Sequence, residues 1–152
     1  MEKIISNAEI EIIDINDYEM PIYSSDREDE SGIPESAHQF YTKIGKADAL
    51  LIAFAEHNGY YTAAYKNLFD WASRIDQKVY QNKPSILLAT SPGGRGAANV
   101  LEVAKTSAPH FGMEVKASLS IPAFYDNFDL TQGHINNAEI NEQLEIALAS
   151  LK

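Results

Sequence analysis

The glycine-rich segment Ser91–Gly96 is the stretch of this sequence best suited to holding a ligand. Three of its last four residues are glycines, and a backbone without side chains can approach a bound molecule closely. Arg95 adds a permanent cation with a planar array of donors. A helix predicted to begin near Ala97 would point its positive end toward the same space. Taken alone, this pattern favours an anionic or carbonyl-rich ligand.

The same segment lacks the spacing of two common nucleotide-binding motifs. No Lys-Ser/Thr pair follows the glycines, so the segment is not a P-loop. The G-x-G formed by Gly94 and Gly96 also lacks the third glycine of the dinucleotide fingerprint. The glycines therefore indicate close backbone contact with a ligand and leave its class open.

A second candidate loop, Ala55–Tyr61, follows an apolar segment earlier in the chain. Its Asn58-Gly59 pair is typical of a tight turn, and the helix predicted after it would present free backbone N–H groups. Tyr60 and Tyr61 follow at once, and their rings offer flat surfaces to a planar ligand. A simple strand-to-helix turn whose two tyrosines cover the core would account for the same residues, so both interpretations stay open.

Composition narrows the classes of function. The chain has 152 residues, with 12 Lys and Arg against 22 Asp and Glu, a net charge of -10 and no cysteine. The length predicts a single domain over residues 1–152, and the missing cysteines exclude disulfides, thiolate metal sites and a cysteine nucleophile. The negative charge argues against nucleic acid and anionic membranes as partners. No apolar run approaches the roughly 20 residues that span a bilayer, so we expect a cytoplasmic protein.

Four segments have the pattern of strands, which must position these loops. Ala49–Ala55 and Ser85–Thr90 are apolar nearly throughout, which favours strands of a parallel sheet covered on both faces. Glu9–Ile15 and Glu114–Ile121 alternate apolar and polar residues, and the second of these is expected at a half-exposed sheet edge. The polar segment Tyr23–Gly32 is predicted to be a mobile loop.

Helices are predicted between and after the strands, over Pro34–Ile44, Thr62–Lys78, Ala97–Phe111 and from Asn136 onward. Pro109 should kink or end the third of these helices early, and Glu139 is placed to complete the cap of the fourth. Because strands and helices alternate, the expected fold class is α/β, with a parallel sheet and helices on both faces. Such sheets bind ligands beyond the carboxyl ends of their strands, where both candidate loops are expected.

Three short motifs, in the same order and register, resemble those of the NADPH-dependent FMN reductase family, which has a flavodoxin-like fold. The P-E-Y-N loop of that family is similar to Ala55–Gly59 (AEHNG). Its K-N-x-x-D-W helix is similar to Lys66–Trp71 (KNLFDW), and its S-x-G-G-x-G-type loop to Ser91–Gly96 (SPGGRG). The resemblance extends from about Glu9 to the C-terminus, and three motifs in register are much more specific than any one of them.

The resemblance implies FMN as cofactor, NADPH or NADH as electron donor, and a flavin, quinone, azo dye or metal oxyanion as acceptor. The flavin would carry the hydride, so neither a catalytic side chain nor a metal is expected. Lys66-Asn67 and Asp70-Trp71 would be mainly structural and would support the first loop. The backbone would line the isoalloxazine ring at ten residues: Glu56, His57, Asn58, Gly59, Ser91, Pro92, Gly93, Gly94, Arg95 and Gly96.

The resemblance also implies a homodimer or homotetramer with flavin sites near the subunit boundaries. The stretch Ile121–Asp129 carries Phe124, Tyr125 and Phe128, which a second copy could cover if they are exposed. A loop folded back on its own core would use the same residues, and the sequence leaves both possibilities open.

Two residues of the first loop differ from the family pattern. Ala55 stands in place of the usual proline, and His57 in place of the usual tyrosine. A histidine beside a flavin could modulate its redox behaviour, because its charge can change near neutral pH. A substitution tolerated because backbone atoms make the contacts would explain the same difference.

The front of the chain departs most from the pattern. Family members open with a strand and a loop like G-S-x-R-x-x-S that holds the flavin phosphate, whereas Met1–Ile5 looks like the tail of the following helix. The first strand and the phosphate loop are therefore expected to be absent from this flavodoxin-like sheet. A longer gene product, a neighbouring copy, or direct pairing of Glu9–Ile15 with Ala49–Ala55 would each compensate, and the sequence does not choose among them.

Two alternatives to an FMN-dependent oxidoreductase follow from these differences. Without a phosphate loop, the chain could be a flavodoxin-like oligomeric module that binds flavin weakly or not at all. It could also be a flavin carrier that receives electrons from a protein, because the acidic segment Glu9–Glu30 could steer a basic redox partner.

Overall fold

The computed structural model describes residues 8–151. The strands are β1 (Leu50–Phe54), β2 (Glu56–His57), β3 (Tyr60–Tyr61), β4 (Lys83–Thr90), β5 (Met113–Ile121), β6 (Phe128–Asp129) and β7 (His134–Ile135). The α-helices are α1 (Ser25–Ser31), α2 (Glu35–Lys46), α3 (Ala63–Ile75), α4 (Ala98–Ser107), α5 (Phe124–Asn127) and α6 (Ala138–Ala149), and 3-10 helices span Ile15–Tyr18 and Ala108–Phe111. The interpretation of Met1–Ile5 as the tail of a helix lies outside the described residues.

A three-stranded parallel sheet in the order β1-β4-β5 forms the centre of the fold. The apolar strand β4 lies in the middle, and its residues Ser85, Ile86 and Leu87 are fully buried. The alternating strand β5 lies at an edge, as its pattern predicted. Three of the four predicted strands are thus confirmed, with boundaries shifted by at most two residues.

Helices cover both faces of this sheet. Leu87 and Ala89 of β4 lie in one apolar cluster with Val100 of α4, and aromatic residues of α3 pack against the same cluster. Ile86 faces the other way and lies in a separate cluster with Leu148 of α6. Because side chains alternate between the faces of a strand, one apolar strand serves both helical layers. The architecture is therefore the expected three-layer α/β/α arrangement of a flavodoxin-like fold.

Local capping determines where the helices begin and end. The helix predicted over Ala97–Phe111 ends its α-helical part before Pro109, which lies in the first turn of the second 3-10 helix, so the early end is confirmed. The last helix begins at Ala138, two residues later than predicted, because Asn137 caps it by accepting hydrogen bonds from the N–H groups of Glu139 and Ile140. Glu139, expected to complete the cap, instead accepts a hydrogen bond from Gln143 Nε2 at 3.4 Å. Among the described residues, no helix is long and apolar enough to cross a membrane.

The predicted strand Glu9–Ile15 is wrong. Residues 8–14 have no regular structure, and Ile12 is 90% exposed. A strand requires a neighbour for its backbone hydrogen bonds, and this segment does not pair with β1 as one alternative had required. Within residues 8–151, the edge of β1 that faces away from β4 therefore has no strand partner.

The predicted loop Tyr23–Gly32 is also wrong, since it contains α1. The Ser24 hydroxyl caps this helix by accepting a hydrogen bond from the Arg27 N–H, and Asp26 and Glu28 lie in its first turn, where carboxylates are favoured. Gly32 ends the helix with a positive φ of 73°. Start and stop signals are thus present in a segment whose polarity had suggested a loop.

Candidate functional site

The first candidate loop folds into a tight β-hairpin. Strands β2 and β3 pair antiparallel, with Glu56 opposite Tyr61. Asn58 and Gly59 form the two-residue turn between them, with positive φ values of 53° and 77°. A type I′ turn needs positive φ at both central residues, and Asn-Gly is a favoured pair for it. The predicted tight turn is therefore confirmed, and a short antiparallel ladder extends it.

The two tyrosines after this turn have different environments. The Tyr61 ring centroid lies 5.5 Å from that of Phe54 and 5.0 Å from that of Tyr65, and its hydroxyl lies 3.1 Å from the Ser107 hydroxyl oxygen. Tyr60 is 49% exposed. Tyr61 thus covers the core, as the simpler interpretation proposed, and Tyr60 is the ring that a ligand can reach.

The second candidate loop exposes its tip at Pro92, Gly93 and Gly94. A Cβ atom on Gly94 would meet no heavy atom within 4 Å, and one on Gly93 would meet only the Ser91 hydroxyl, at 3.9 Å. Arg95 is exposed as well. A ligand can therefore approach the backbone of this tip without displacing protein side chains.

Gly96 is buried at the base of the same loop. Its φ is 55°, and a Cβ atom there would lie 2.5 Å from the Ser120 hydroxyl oxygen and 2.8 Å from the Ile121 carbonyl carbon. The Ser120 hydroxyl donates to the Gly96 carbonyl at 2.8 Å and lies 3.2 Å from the Arg95 carbonyl. Gly96 thus secures the loop against the end of β5, and the exposed glycines before it form the accessible part.

A carboxylate from the hairpin occupies the first turn of α4. Glu56 Oε2 accepts a hydrogen bond from the Val100 backbone N–H at 2.9 Å. The positive end of α4 was expected to favour an anionic ligand. It already has a negative partner from the protein itself, which reduces its attraction for a second anion.

Asn99 lies between the two candidate loops. Its side-chain oxygen accepts a hydrogen bond from Arg95 Nη2 at 2.7 Å. Its Nδ2 lies 3.4 Å from the position that a Cβ atom on Gly59 would occupy. His57 is exposed on the hairpin. The two loops are therefore neighbours, and across residues 8–151 no three His, Asp or Glu side chains are grouped so that they could hold a metal ion.

A third loop, formed by residues 122–128 after β5, lies at the same edge of the sheet, although none of the three sequence motifs includes it. The Ala123 N–H donates to the Gly93 carbonyl at 3.0 Å, and the Phe124 N–H donates to the Ser91 carbonyl at 3.0 Å. The sequence contained an indication of this third loop. The carboxyl ends of neighbouring parallel strands meet at one edge of the sheet, and β5 was predicted to end at that edge.

The aromatic residues of this third loop are only partly exposed. Phe124 and Phe128 are half-buried and stack with their ring centroids 5.0 Å apart, whereas Tyr125 is 66% exposed. The loop therefore folds back through two of its rings and presents the third to solvent. Coverage of Tyr125 by a second copy stays a prediction.

The K-N-x-x-D-W motif of α3 anchors the chain segment before α1. The Asn67 side-chain oxygen accepts from the Tyr23 N–H at 2.8 Å, and its amide donates to the Pro21 carbonyl at 3.1 Å. Trp71, which is 1% exposed, donates from Nε1 to the same carbonyl at 2.7 Å. These contacts agree with a structural role for the motif, on the outer side of the helix that follows the hairpin.

A cleft of about 280 Å³ opens beside the hairpin, between α3 and the end of α4. Tyr65 and Tyr80 share a hydrogen bond between their hydroxyls, and burial raises the pKa of both phenols. Both therefore stay neutral at physiological pH. The charged residues of the lining are Lys66 and Asp70, which form an ion pair with each other at 2.7 Å. The aromatic residues of its walls are Tyr60, Tyr61, Tyr65, Phe69, Tyr80 and Phe111.

Comparisons with known proteins agree with the motifs. A family model described as NADPH-dependent FMN reductase matches residues 1–126. A 2-hydroxy-1,4-benzoquinone reductase from a Burkholderia species is 38% identical over 94 residues, which cover 61% of this chain and 49% of that protein. An NADPH:quinone oxidoreductase from Arabidopsis thaliana is 29% identical over 151 residues, which cover 97% of this chain and 75% of that protein.

A solved structure shows a similar fold over nearly the whole chain. FerB, a flavoenzyme NAD(P)H:(acceptor) oxidoreductase from Paracoccus denitrificans, has a TM-score of 0.74 and 26% sequence identity, covering 99% of this chain and 82% of that one. The chain thus spans most of FerB and about half the length of the Burkholderia relative. Because the family model covers most of the sequence, including all three motifs, this chain belongs to the NADPH-dependent FMN reductase family.

Proposed function

We propose that this chain is an FMN-dependent NAD(P)H oxidoreductase that passes electrons through bound flavin to a small-molecule acceptor. Family membership implies FMN as cofactor and NAD(P)H as donor. The observation that carries the proposal is that Asn99 lies against both the Asn58-Gly59 turn and Arg95 of the Ser91–Gly96 loop, whose Gly93 and Gly94 backbone is open. Both loops follow strands at the sheet edge where such folds bind ligands. When bound, FMN would supply a ring that accepts and donates hydride.

The accessible groups of the two loops fit the ring portion of FMN. An isoalloxazine ring is flat and carries carbonyl and N–H groups along one edge, which backbone N–H and carbonyl groups can match. The exposed backbone of Gly93 and Gly94 leaves room for such an edge, and the half-exposed Tyr60 offers a ring for stacking. The ten residues expected from the sequence to line the ring are proposed here as that site.

The protein's task in this proposal is to hold and orient the ring. The hairpin is held by the packing of Tyr61 and by the hydrogen bond from the Val100 N–H to Glu56, called here the Glu56 bridge. Ser120 holds the base of the second loop at Gly96. No side chain is assigned as an acid or base, because the flavin itself carries the hydride.

We propose a quinone as the acceptor class. The Burkholderia and Arabidopsis relatives are named as quinone reductases. Quinones are planar two-electron acceptors, so they suit reduction by a flat flavin ring. The other acceptor classes implied by the resemblance provide the comparison substrates.

We also propose that the chain forms a homodimer or homotetramer. The aromatic cleft between α3 and α4 is a surface that a second copy could cover, because its two charged residues, Lys66 and Asp70, already pair with each other. Light scattering after size-exclusion chromatography would measure the mass, and a monomer at micromolar concentration would contradict this part. The cytoplasmic location stays a prediction.

The test begins with a titration of the 152-residue chain with FMN, followed by flavin fluorescence and the visible spectrum. We expect one flavin per chain, and then NADPH oxidation that depends on an added benzoquinone. Bound flavin with no acceptor-dependent NADPH oxidation would contradict the catalytic proposal. Failure to bind FMN would instead favour the weakly binding flavodoxin-like module.

A further inference from the structure

The first turn of α4 has no cap from its own side chains. Its N-cap residue Ala97 lies in the left-handed region, with φ 57°, and makes no side-chain hydrogen bond to the turn. The N–H groups of a first helical turn have no partners within the helix, so they need other acceptors. The Ala98 N–H has one in the Arg95 carbonyl, at 3.0 Å. Val100 is 0% exposed, so its N–H needs an acceptor from the protein.

Glu56 supplies that acceptor from a different element, 44 residues away in sequence. Its Oε2 lies 2.9 Å from the Val100 nitrogen. A carboxylate at a helix N-terminus gains both a charge-assisted hydrogen bond and a favourable interaction with the helix dipole. Glu56 also stands two residues before Asn58, so the bond connects the hairpin tip directly to the helix that follows the second loop.

The hairpin needs such a connection because its own ladder is short. Strands β2 and β3 have two residues each, and a small two-stranded hairpin is at best marginally stable by itself. Asn99 also lies near the hairpin, since its Nδ2 is 3.4 Å from the position that a Cβ atom on Gly59 would occupy. The Glu56 carboxylate therefore provides a direct hydrogen bond from the hairpin to the helix that follows the second loop.

We propose that Glu56 is the positioning residue of this site, holding the Asn58-Gly59 turn at a fixed separation from the Ser91–Gly96 loop through the Val100 N–H. This assigns Glu56 a role through its side chain, whereas the family resemblance implied a role for its backbone alone. It acts through Val100 and not on the reacting atoms. The consequence for flavin affinity rests on the proposed function, whereas the bridge itself does not.

Three substitutions of Glu56 distinguish the effect of its side-chain length from the effect of its charge. Glu56→Gln keeps the length and an acceptor oxygen, Glu56→Asp keeps the charge but is one methylene shorter, and Glu56→Ala removes the acceptor. We expect the Kd for FMN to rise about tenfold or more in the alanine and aspartate variants, because a bond to a charged group in this setting is worth at least that factor. The glutamine variant should stay within about threefold of the wild-type Kd, because it keeps the hydrogen bond.

A readout without flavin tests the bridge independently. Amide hydrogen exchange at Val100, followed by NMR in the flavin-free chain, should stay slow in the wild type and in Glu56→Gln. It should become faster in Glu56→Ala and Glu56→Asp, because the N–H loses its acceptor. If the wild-type chain does not bind FMN, the proposed function fails, and this exchange measurement still decides whether Glu56 holds the first turn of α4.

A matched control separates positioning from general stability. Ile86→Val removes one methylene from the cluster on the α6 side of the sheet, away from both loops, and should lower the melting temperature while leaving the Kd for FMN unchanged. The positioning role would be overturned if Glu56→Ala weakened FMN binding no more than Ile86→Val does. It would also be overturned if Glu56→Asp matched the wild type, if Glu56→Gln failed like alanine, or if Val100 exchange were the same in Glu56→Ala as in the wild type.

Discussion

Gly94 and Gly96 lie two residues apart in one loop and meet different constraints. Gly96→Ala is expected to lower the free energy of unfolding by about 1–3 kcal/mol, because φ is positive and the new Cβ atom would lie 2.8 Å from backbone atoms of Ile121 and Pro122. Urea denaturation measures this change. Backbone at that distance cannot rotate away as a flexible side chain would, so the loop itself must move.

Gly94→Ala is the matched variant, because a Cβ atom there meets nothing within 4 Å. We expect its free energy of unfolding to stay within about 0.5 kcal/mol of the wild type, as for an ordinary surface substitution. FMN binding should nevertheless weaken, since the methyl group would occupy the space proposed for the ring. Equal losses of unfolding free energy in Gly94→Ala and Gly96→Ala would contradict the difference between an open Gly94 and an enclosed Gly96.

The hydroxyls of Tyr65 and Tyr80 provide a prediction about paired buried groups. Tyr65→Phe or Tyr80→Phe alone should cost about 1–3 kcal/mol of unfolding free energy, because each leaves the other hydroxyl without its partner. The double variant should cost clearly less than the sum, since both polar groups are then removed together. Urea denaturation of the four proteins measures this, and strictly additive costs would contradict the pairing.

The same pair predicts how stability changes at alkaline pH. Burial raises the pKa of Tyr80 in the folded state, so the folded protein keeps the proton after the unfolded chain begins to lose it near pH 10. Stability from this group is therefore fully present below about pH 10 and is lost as the pH rises above that value. We expect the wild type to lose unfolding free energy between about pH 10 and 11 faster than the double phenylalanine variant, and parallel profiles would contradict this.

Helix α3 illustrates how one element serves both the fold and the site. Asn67→Ala is expected to cost about 1–3 kcal/mol, because it leaves the Tyr23 N–H without its acceptor and removes one of the two donors to the Pro21 carbonyl. Lys66→Ala is the control on the same helix, and it breaks only an exposed ion pair with Asp70, worth about 0–1 kcal/mol. Thermal denaturation compares the two variants.

The FMN affinity of the Asn67 variant tests its assigned role. We expect the Kd for FMN to stay near the wild-type value in Asn67→Ala, because the Asn67 side chain bonds to the segment before α1 and not to the hairpin. An Asn67→Ala variant with normal stability and weakened flavin binding would show that this residue belongs to the site instead.

For the molecule as a whole, ligand binding should stabilise the entire fold. If FMN binds only the folded chain, FMN at 100 times its Kd should raise the unfolding free energy by about 2.7 kcal/mol. A melting curve with and without FMN measures the shift. AMP, which carries a phosphate but no isoalloxazine ring, is the matched ligand control, and an equal shift with AMP would contradict recognition of the ring by the two loops.

Sequence patterns predicted the parts of this fold that depend on neighbours along the chain. The continuous apolar run Ser85–Thr90 predicted a central strand, because such a run can be buried on both faces. The Asn58-Gly59 pair predicted a tight turn because few other residues adopt positive φ at both positions. The glycine-rich loop and the family motifs depend on the same kind of local information.

The errors arose where distant partners decide the structure. Glu9–Ile15 has the alternation of a strand, but a strand exists only beside another strand, and this segment has none among the described residues. The helix α1 was missed because its residues carry no apolar stripe. Its cap and the anchoring of the preceding segment by Asn67 and Trp71 hold it in place.

Local patterns in the sequence were sufficient to predict the α/β class and the two loops, and to reveal the resemblance to a flavin reductase family. Only the tertiary structure showed that Glu56 bonds to Val100, that Gly96 is enclosed by Ser120, and that a third loop joins the second. Periodicity and turn chemistry involve residues a few positions apart, so they can be read from the chain. Contacts between residues tens of positions apart depend on how the elements pack, which no local pattern encodes.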